Sequence, residues 1–168
     1  IFHHFPNKEA VARALIERCS SKHGPEYAAV VESTASAPEK LRGLAGIFEK
    51  GLQNQRPCLL AALGSGVNTL PEVAVQELGE TARGAVSRFA LVFQQGRDEG
   101  TLQFSGEPID AATGFFAMLQ GLQVLVRASG DTSAFQSAAD AYIDSITLSN
   151  AGGSDLTWGV EVSTIPGA

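Results

Sequence analysis

Apolar residues recur every three or four positions along most of the chain, which is the spacing of one face of an α-helix. The first such stretch follows Pro6 and Asn7, of which Asn7 is a suitable N-cap, and it carries apolar residues at positions 11, 15 and 19. The polar segment 20–24, SSKHG, breaks this pattern. We therefore expect the first helix to end there.

Two later helices begin with a recognisable capping signal. Ser36 and Glu39 stand three residues apart before an apolar stripe, as in a capping box. Thr69 and Glu72 repeat that spacing before a longer stripe. Gly100 follows the longer stripe and is suited to close the helix in the left-handed conformation. We expect a capping box at both starts.

The remaining segments complete a helical pattern. A short apolar piece lies at 57–63, one helix begins at Pro108, and a last one begins near Thr132. The tail, 149–168, changes to glycine, serine and alternating residues, and it has no assigned role. Because the chain shows one core pattern and no repeat, we predict an all-α helical bundle.

The helix after Pro108 is apolar around most of its circumference. Gly114, Ala117 and Gly121 form a strip of small residues that would let another backbone approach. A second copy of the chain would cover this excess of apolar surface. The alternative is a central helix that is buried within one subunit.

Charge is distributed unevenly over the 168 residues. The net charge is −6, but residues 1–23 carry +2, which leaves −8 on the rest of the chain. Because like charges repel, a nucleic acid could approach only the front end. The two cysteines form neither a CxxC pair nor a disulfide framework. All three histidines lie within the first 23 residues, so we expect no metal site.

Membrane and secretion signals are not evident in the sequence. No apolar run approaches the roughly 18 residues that a membrane span requires. No signal-peptide pattern stands at the front. We therefore expect a cytoplasmic protein with no membrane partner.

Enzymatic chemistry is disfavoured. Helical bundles that hold two metal ions use Glu-x-x-His pairs, and the sequence contains none. The early position of every histidine makes a Ser-His-Asp arrangement implausible, and the segment GSGVNT lacks the lysine of a phosphate-binding loop. We expect no catalytic residues and no cofactor.

The opening segment IFHHFPNKEAV resembles the join between the third and fourth helices of the TetR family of bacterial repressors. That join typically reads aliphatic, Tyr, any residue, His, Phe, Pro, polar, Lys, Glu. The matching positions here are Ile1, Phe2, His3, His4, Phe5, Pro6, Asn7, Lys8 and Glu9. A weaker resemblance extends to about Leu148.

The resemblance implies that the front end contacts a double-stranded DNA operator. The expected DNA-contacting residues are Phe2, His3, His4 and Lys8. Lys8 would hold a backbone phosphate at a helix N-terminus, where unpaired N–H groups also attract anions. Phe2 replaces the usual tyrosine, so the hydroxyl that would reach a phosphate is absent. Phe5 is interpreted as an anchor that packs this join onto the fold.

The resemblance also implies a domain organisation. Residues 1–23 would be the end of the recognition helix and the linking helix of a helix-turn-helix unit, whose two earlier helices and most of the third are missing. Residues 24–148 would bind a ligand and form a homodimer through the last two helices. Residues 149–168 are a tail.

A small, mostly apolar effector is expected to bind within residues 24–148. Cys58 follows Arg56 near a helix start, where the helix dipole and the guanidinium would lower a thiol pKa, as in a redox sensor. The alternative for each candidate is an ordinary place in the core, where the same side chains are needed. The candidate ligand-binding residues are Phe48, Cys58, Leu60, Leu63, Phe89, Phe93, Phe115 and Met118.

The predicted function is a ligand-responsive transcriptional regulator, in which the effector releases a repressor from its operator. The alternative is a helical ligand-binding or dimerisation module that does not bind DNA.

Overall fold

The computed structural model describes residues 5–54 and 58–148, and these form a helical bundle, as predicted. The 24-residue α1 and the 27-residue α4 are its longest helices. A single 3₁₀ turn, Val67–Thr69, precedes α4. The helices are α1 (Lys8–Val31), α2 (Ala37–Gln53), α3 (Leu59–Gly64), α4 (Glu72–Asp98), α5 (Pro108–Ser129) and α6 (Ser133–Ile146).

The first helix is longer than predicted. It continues through 20–24 and past Pro25 to its end at Val31, so the expectation that it ends in SSKHG is wrong. Tyr27 is buried in the core of the bundle, and Val30 packs against that core. This burial outweighs the weak helix propensity of the Gly-Pro pair, because tertiary packing overrides local preference.

The starts of α1 and α2 are the predicted ones. The Asn7 side chain accepts a hydrogen bond from the Ala10 backbone N–H at 2.9 Å. The Ser36 backbone N–H donates to the Glu39 carboxylate at 2.9 Å, which is one half of the expected capping box. Each bond satisfies a backbone N–H that the helix itself leaves free.

The start of α4 differs from the prediction. The Thr69 hydroxyl donates to the Gly66 carbonyl at 2.8 Å and belongs to the preceding turn, so the second capping box is wrong. Pro71 stands at the N-cap position, with no side-chain cap. The end of α4 is as expected, because Gly100 has the left-handed φ of +65°.

Aromatic rings form the centre of the core. Phe89 of α4 packs edge-on against Tyr27 of α1 with 5.3 Å between centroids, and against Phe116 of α5 at 5.4 Å. Phe48 of α2 and Phe115 of α5 complete the cluster. The cluster therefore fixes four helices relative to one another.

One face of α5 has no neighbour within the subunit. Val124 and Leu125 keep 58% and 65% of their surface exposed. Nothing lies within 4 Å of where a side chain on Gly114 or Gly121 would begin. The alternative of a helix buried within one subunit is therefore not what the described residues show.

Helix α5 is also long and apolar enough to cross a membrane by length and composition alone. The expectation that no such stretch exists was wrong. In the structure this helix packs closely along α4, and Phe115 and Leu119 on its inner face are fully buried. A core helix of a bundle has the same composition.

A short backbone pairing that the sequence did not suggest joins the loop after α4 to the end of α6. Leu102 and Thr147 form an isolated antiparallel bridge. The Gln103 N–H donates to the Ile146 carbonyl at 2.7 Å. The predicted tail, 149–168, lies outside the described residues.

Candidate functional site

Helices α1 and α4 run side by side in the same direction. The Ser20 and Thr81 hydroxyl oxygens lie 3.1 Å apart, and further along both helices Tyr27 contacts Phe89. Contacts between these helices therefore occur at two levels, separated by about two helical turns.

A cavity of about 310 Å³ opens between the two helices at this place. Gly24 and Gly84 both lie in its wall, and because neither has a side chain the helices leave space there. Cys58 and Leu60 close another side. On each helix the lining residues recur every three or four positions, so they share one face. They are Cys19, Ser20, His23, Gly24 and Tyr27 from α1, and Glu80, Thr81, Gly84, Ala85 and Arg88 from α4.

The charged groups of the lining lie toward solvent. Glu80 and Arg88 are exposed and carry opposite charges. His23 is hydrogen-bonded through Nδ1 to the Glu26 carboxylate at 2.8 Å. The buried part of the wall therefore consists of apolar groups, hydroxyls and thiols.

Tyr27 is the most buried polar side chain of this wall, with 7% of its surface exposed. Burial raises the pKa of its hydroxyl well above the usual range, so the hydroxyl is protonated at any physiological pH. It has no hydrogen-bond partner among the residues that the structure describes. Buried tyrosine hydroxyls usually have a hydrogen-bond partner, so this hydroxyl is unusual in the wall.

Both cysteines line the cavity, and burial raises the pKa of each thiol. The backbone N–H groups of Leu60 and Ala61 offset only part of this effect at Cys58. The expectation that the pKa of Cys58 is lowered is therefore wrong, and Arg56 lies outside the described residues. Within those residues, no three His, Cys, Asp or Glu side chains stand close enough to share a metal ion.

Gln123 positions the chain at Cys58. Its side-chain amide donates to the Phe48 carbonyl at 2.9 Å and accepts from the Cys58 backbone N–H at 2.9 Å. Gln123 is 2% exposed, so both bonds are shielded from water. They join α5 to the end of α2 and to the start of α3. A glutamine among the mostly apolar residues of this helix, as at positions 120 and 123, is the sequence signal for such a bridge.

Two of the predicted ligand-binding residues line the cavity, namely Cys58 and Leu60. Phe48 lines a much smaller neighbouring space of about 10 Å³, which also touches Tyr27 and Cys58. These three residues therefore lie in the same region of the bundle.

The other predicted ligand-binding residues lie elsewhere. Phe89, Phe93 and Phe115 have no exposed surface and form part of the core. Met118 is partly buried against that core. Leu63 packs in a second, smaller cluster between α1 and α4. Cores and ligand cavities use the same side chains, so composition did not separate them.

Sequence reasoning missed most of the α1 side of the cavity. Cys19, His23 and Tyr27 lie four residues apart and share one helix face. The predicted helix end in SSKHG removed this face from consideration. A helix continued to Val31 would have brought the three side chains together.

Of the predicted DNA-contacting residues, Lys8 lies at the end of α1 that is remote from the cavity. Lys8 is the first residue of that helix and is exposed, beside the N-cap Asn7. Phe2, His3 and His4 lie outside the described residues. Of the four residues predicted to contact DNA, the structure therefore describes the position of Lys8.

Phe5 is half-buried beside the start of α1. It lines an open groove of about 680 Å³ between α1 and α4, together with Ile16. Across this groove the Arg13 guanidinium binds the Glu77 carboxylate at 2.8 Å. Phe5 belongs to neither hydrophobic cluster of the described residues, so its interpretation as an anchor stays a prediction.

Solved structures share this arrangement of helices. A TetR-family transcriptional regulator from Agrobacterium tumefaciens superposes with a TM-score of 0.81 and 26% identity, over 88% of this chain and 78% of that one. TetR from Rhodobacter sphaeroides gives 0.77 and 20%, over 88% and 79% of the two chains. E. coli NemR in its reduced form gives 0.74 and 24%, over 90% and 80%.

No family model and no curated protein matches the sequence itself. The two structures below 25% identity show similarity of fold alone, and the first shows it together with the highest identity of the three. The opening segment resembles the TetR family, and over most of its length the chain has the fold of solved TetR-family transcriptional regulators.

Proposed function

We propose that the chain is the body of a ligand-responsive DNA-binding transcriptional regulator, in which an effector in the cavity lowers affinity for an operator. The observation that supports this most directly is the continuity of α1. The same helix begins at Lys8 and forms a wall of the cavity as far as Tyr27. At 1.5 Å per residue these two positions are about 28 Å apart.

The front end of α1 suits a phosphate. Lys8 is exposed at a helix N-terminus, where the helix dipole and unpaired N–H groups favour anions. Residues 1–23 also carry the positive charge of an otherwise acidic chain. We assign these residues to the DNA-binding unit and residues 24–148 to ligand binding and dimerisation, with α1 continuous across the boundary.

The coupling we propose is a population shift between two arrangements of α1. A ligand between α1 and α4 that favours one arrangement tilts the helix about its cavity end. A tilt of about 5° over about 28 Å moves the front end by about 2.5 Å. Such a shift in both subunits changes the spacing of two DNA-reading units that must match successive major grooves. We propose repression with release by ligand.

A homodimer supplies the second reading unit. The unpartnered face of α5 contains Val124, Leu125 and the open positions at Gly114 and Gly121, so a second helix backbone can approach closely. Helix α6 lies beside α5. We propose that α5 and α6 pair with their copies in a second subunit, as the family resemblance implies.

Replacing Leu125 by glutamate tests this interface. Two carboxylates then enter an apolar contact, and desolvating unpaired charges costs several kcal/mol. We expect the dimer dissociation constant to rise about 100-fold or more, measured by sedimentation equilibrium.

Leu91→Glu is the matched control, because Leu91 is equally apolar and 60% exposed but lies on α4. Its dimer affinity should stay close to that of the unchanged protein. Equal effects of the two substitutions would contradict the proposed interface.

Promoter binding by the complete gene product tests the proposed function. We expect affinity to fall with salt, because phosphate contacts release counterions. The logarithm of the binding constant should fall linearly with the logarithm of the salt concentration. Lys8→Gln should reduce the magnitude of this slope by about one for each lysine removed. Compounds that bind the cavity should weaken binding of the unchanged protein. Fluorescence anisotropy with labelled promoter fragments measures both effects.

Lys22→Gln is the control, because Lys22 is also exposed on α1 but lies 14 residues further along. Its salt slope should remain unchanged. Promoter binding that no cavity ligand alters would contradict the regulator, and a complete gene product without DNA affinity would favour a ligand-binding or dimerisation module.

A further inference from the structure

The Tyr27 hydroxyl is the feature of the cavity that the fold does not use. Its ring stacks on Phe48 and meets Phe89 edge-on, with centroids 6.2 and 5.3 Å away. Its hydroxyl has no acceptor among the described residues. Within residues 5–54 and 58–148, the buried polar side-chain atoms sealed off without a partner are Gln120 Oε1 and Asp140 Oδ1, and the Tyr27 oxygen is not one of them. It therefore retains contact with open space.

The other hydroxyls of the wall are already bonded. Thr81 donates to the Glu77 carbonyl at 2.9 Å, which leaves its oxygen free to accept from Ser20 at 3.1 Å. Both hydroxyl hydrogens are therefore used within the protein. Tyr27 is the one hydroxyl of the lining, among the described residues, whose hydrogen is available to a ligand.

The wall offers no buried charge to a ligand. Arg88 and Glu80 are exposed and opposite in sign, and His23 is bound to Glu26. Burial keeps the thiols of Cys19 and Cys58 protonated, because it raises the pKa of each. An ionised ligand group would lose its hydration here without a paired charge. The cavity therefore favours an uncharged molecule.

We propose that the cavity binds small uncharged molecules whose carbonyl-type oxygen accepts a hydrogen bond from the Tyr27 hydroxyl. The volume of about 310 Å³ lies at the small end of the range for ligand sites. The apolar remainder of the lining, including Leu60 and Ala85, contacts the hydrocarbon part. This deepens the proposed function, since it rests on the cavity being the effector site.

Three probes of one size and shape separate the chemistries. Acetophenone carries a neutral carbonyl, α-methylstyrene replaces that oxygen by a methylene group, and benzoate carries a charge. We expect acetophenone to bind about tenfold more tightly than α-methylstyrene, and benzoate to bind no better than α-methylstyrene. Titration calorimetry, or NMR at millimolar probe, measures each affinity without DNA.

Tyr27→Phe should remove the preference and bring acetophenone to the affinity of α-methylstyrene. Because the hydroxyl bonds to no described group, the variant should keep the unchanged protein's denaturation midpoint. Tyr142→Phe is the control, since Tyr142 is the other tyrosine and lies outside the cavity lining. It should keep the acetophenone preference.

The inference is overturned if acetophenone does not bind at millimolar concentration, if benzoate binds best, or if Tyr27→Phe leaves the preference intact. Denaturation of Tyr27→Phe at markedly lower urea would also overturn it, because the hydroxyl would then have a protein partner. A probe that binds as expected but leaves promoter affinity unchanged supports the inference and counts against the regulatory function alone.

Discussion

Replacing Phe89 by alanine is expected to lower the free energy of unfolding by about 3–5 kcal/mol. Phe89 has no exposed surface and packs against Tyr27, Phe48, Phe115 and Phe116. Truncation removes a large buried apolar surface and leaves a void that helices fixed by the other rings cannot fill. Urea denaturation followed by circular dichroism measures the change.

Leu91→Ala on the same helix is the control. Leu91 is 60% exposed, so its truncation should change the free energy of unfolding by less than about 0.5 kcal/mol. A loss below about 1 kcal/mol for Phe89→Ala would show that the aromatic cluster does not hold the four helices together. Because the cluster supports Tyr27, Phe89→Ala should also weaken binding in the cavity.

The second large effect is expected from Gly96→Ala, which should lower the free energy of unfolding by about 1–3 kcal/mol. A side-chain carbon on Gly96 would lie 2.3 Å from Leu102 Cδ1 and 2.9 Å from its Cβ. The Cβ cannot move without the backbone. That backbone is held, because the Gly96 carbonyl accepts from the Thr101 and Leu102 N–H groups at 2.8 and 3.0 Å.

Gly46→Ala is the matched control, since Gly46 is also helical but has nothing within 4 Å of the added carbon. It should raise the free energy of unfolding by about 0.5–1 kcal/mol, because alanine favours helix over glycine. Urea denaturation measures both changes in the free energy of unfolding, provided that the dependence on urea concentration is the same for each variant and the unchanged protein. Stabilisation by Gly96→Ala as well would contradict the close packing of Leu102.

Most local signals predicted the fold correctly, although Thr69 and Glu72 have the spacing of a capping box and do not cap α4. The Ser36–Glu39 box, Pro108 and Gly100 each act within one turn of helix, so a single sequence suffices to identify them. The end of α1 is different, because the burial of Tyr27 between α2 and α4 decides it. That burial depends on residues far along the chain.

The candidate site was predicted only in part for the same reason. Leu60 is predicted from the apolar pattern and Cys58 from its place after Arg56 at a helix start, and both line the cavity. The cavity itself depends on the relative register of α1 and α4, whose contacting residues Ser20 and Thr81 are 61 positions apart in the chain. No periodicity within one helix shows that Gly24 lies near Gly84.

Those two glycines have a thermodynamic consequence. A glycine inside a helix costs about 1 kcal/mol relative to alanine, so the empty space between α1 and α4 is maintained against the intrinsic preference of both helices. A side chain at Gly24 would meet no atom within 4 Å. Relatives with alanine or serine at the position of Gly24 would therefore have a more stable helix and a smaller cavity. Selection for higher stability would then narrow the range of molecules that the cavity can bind.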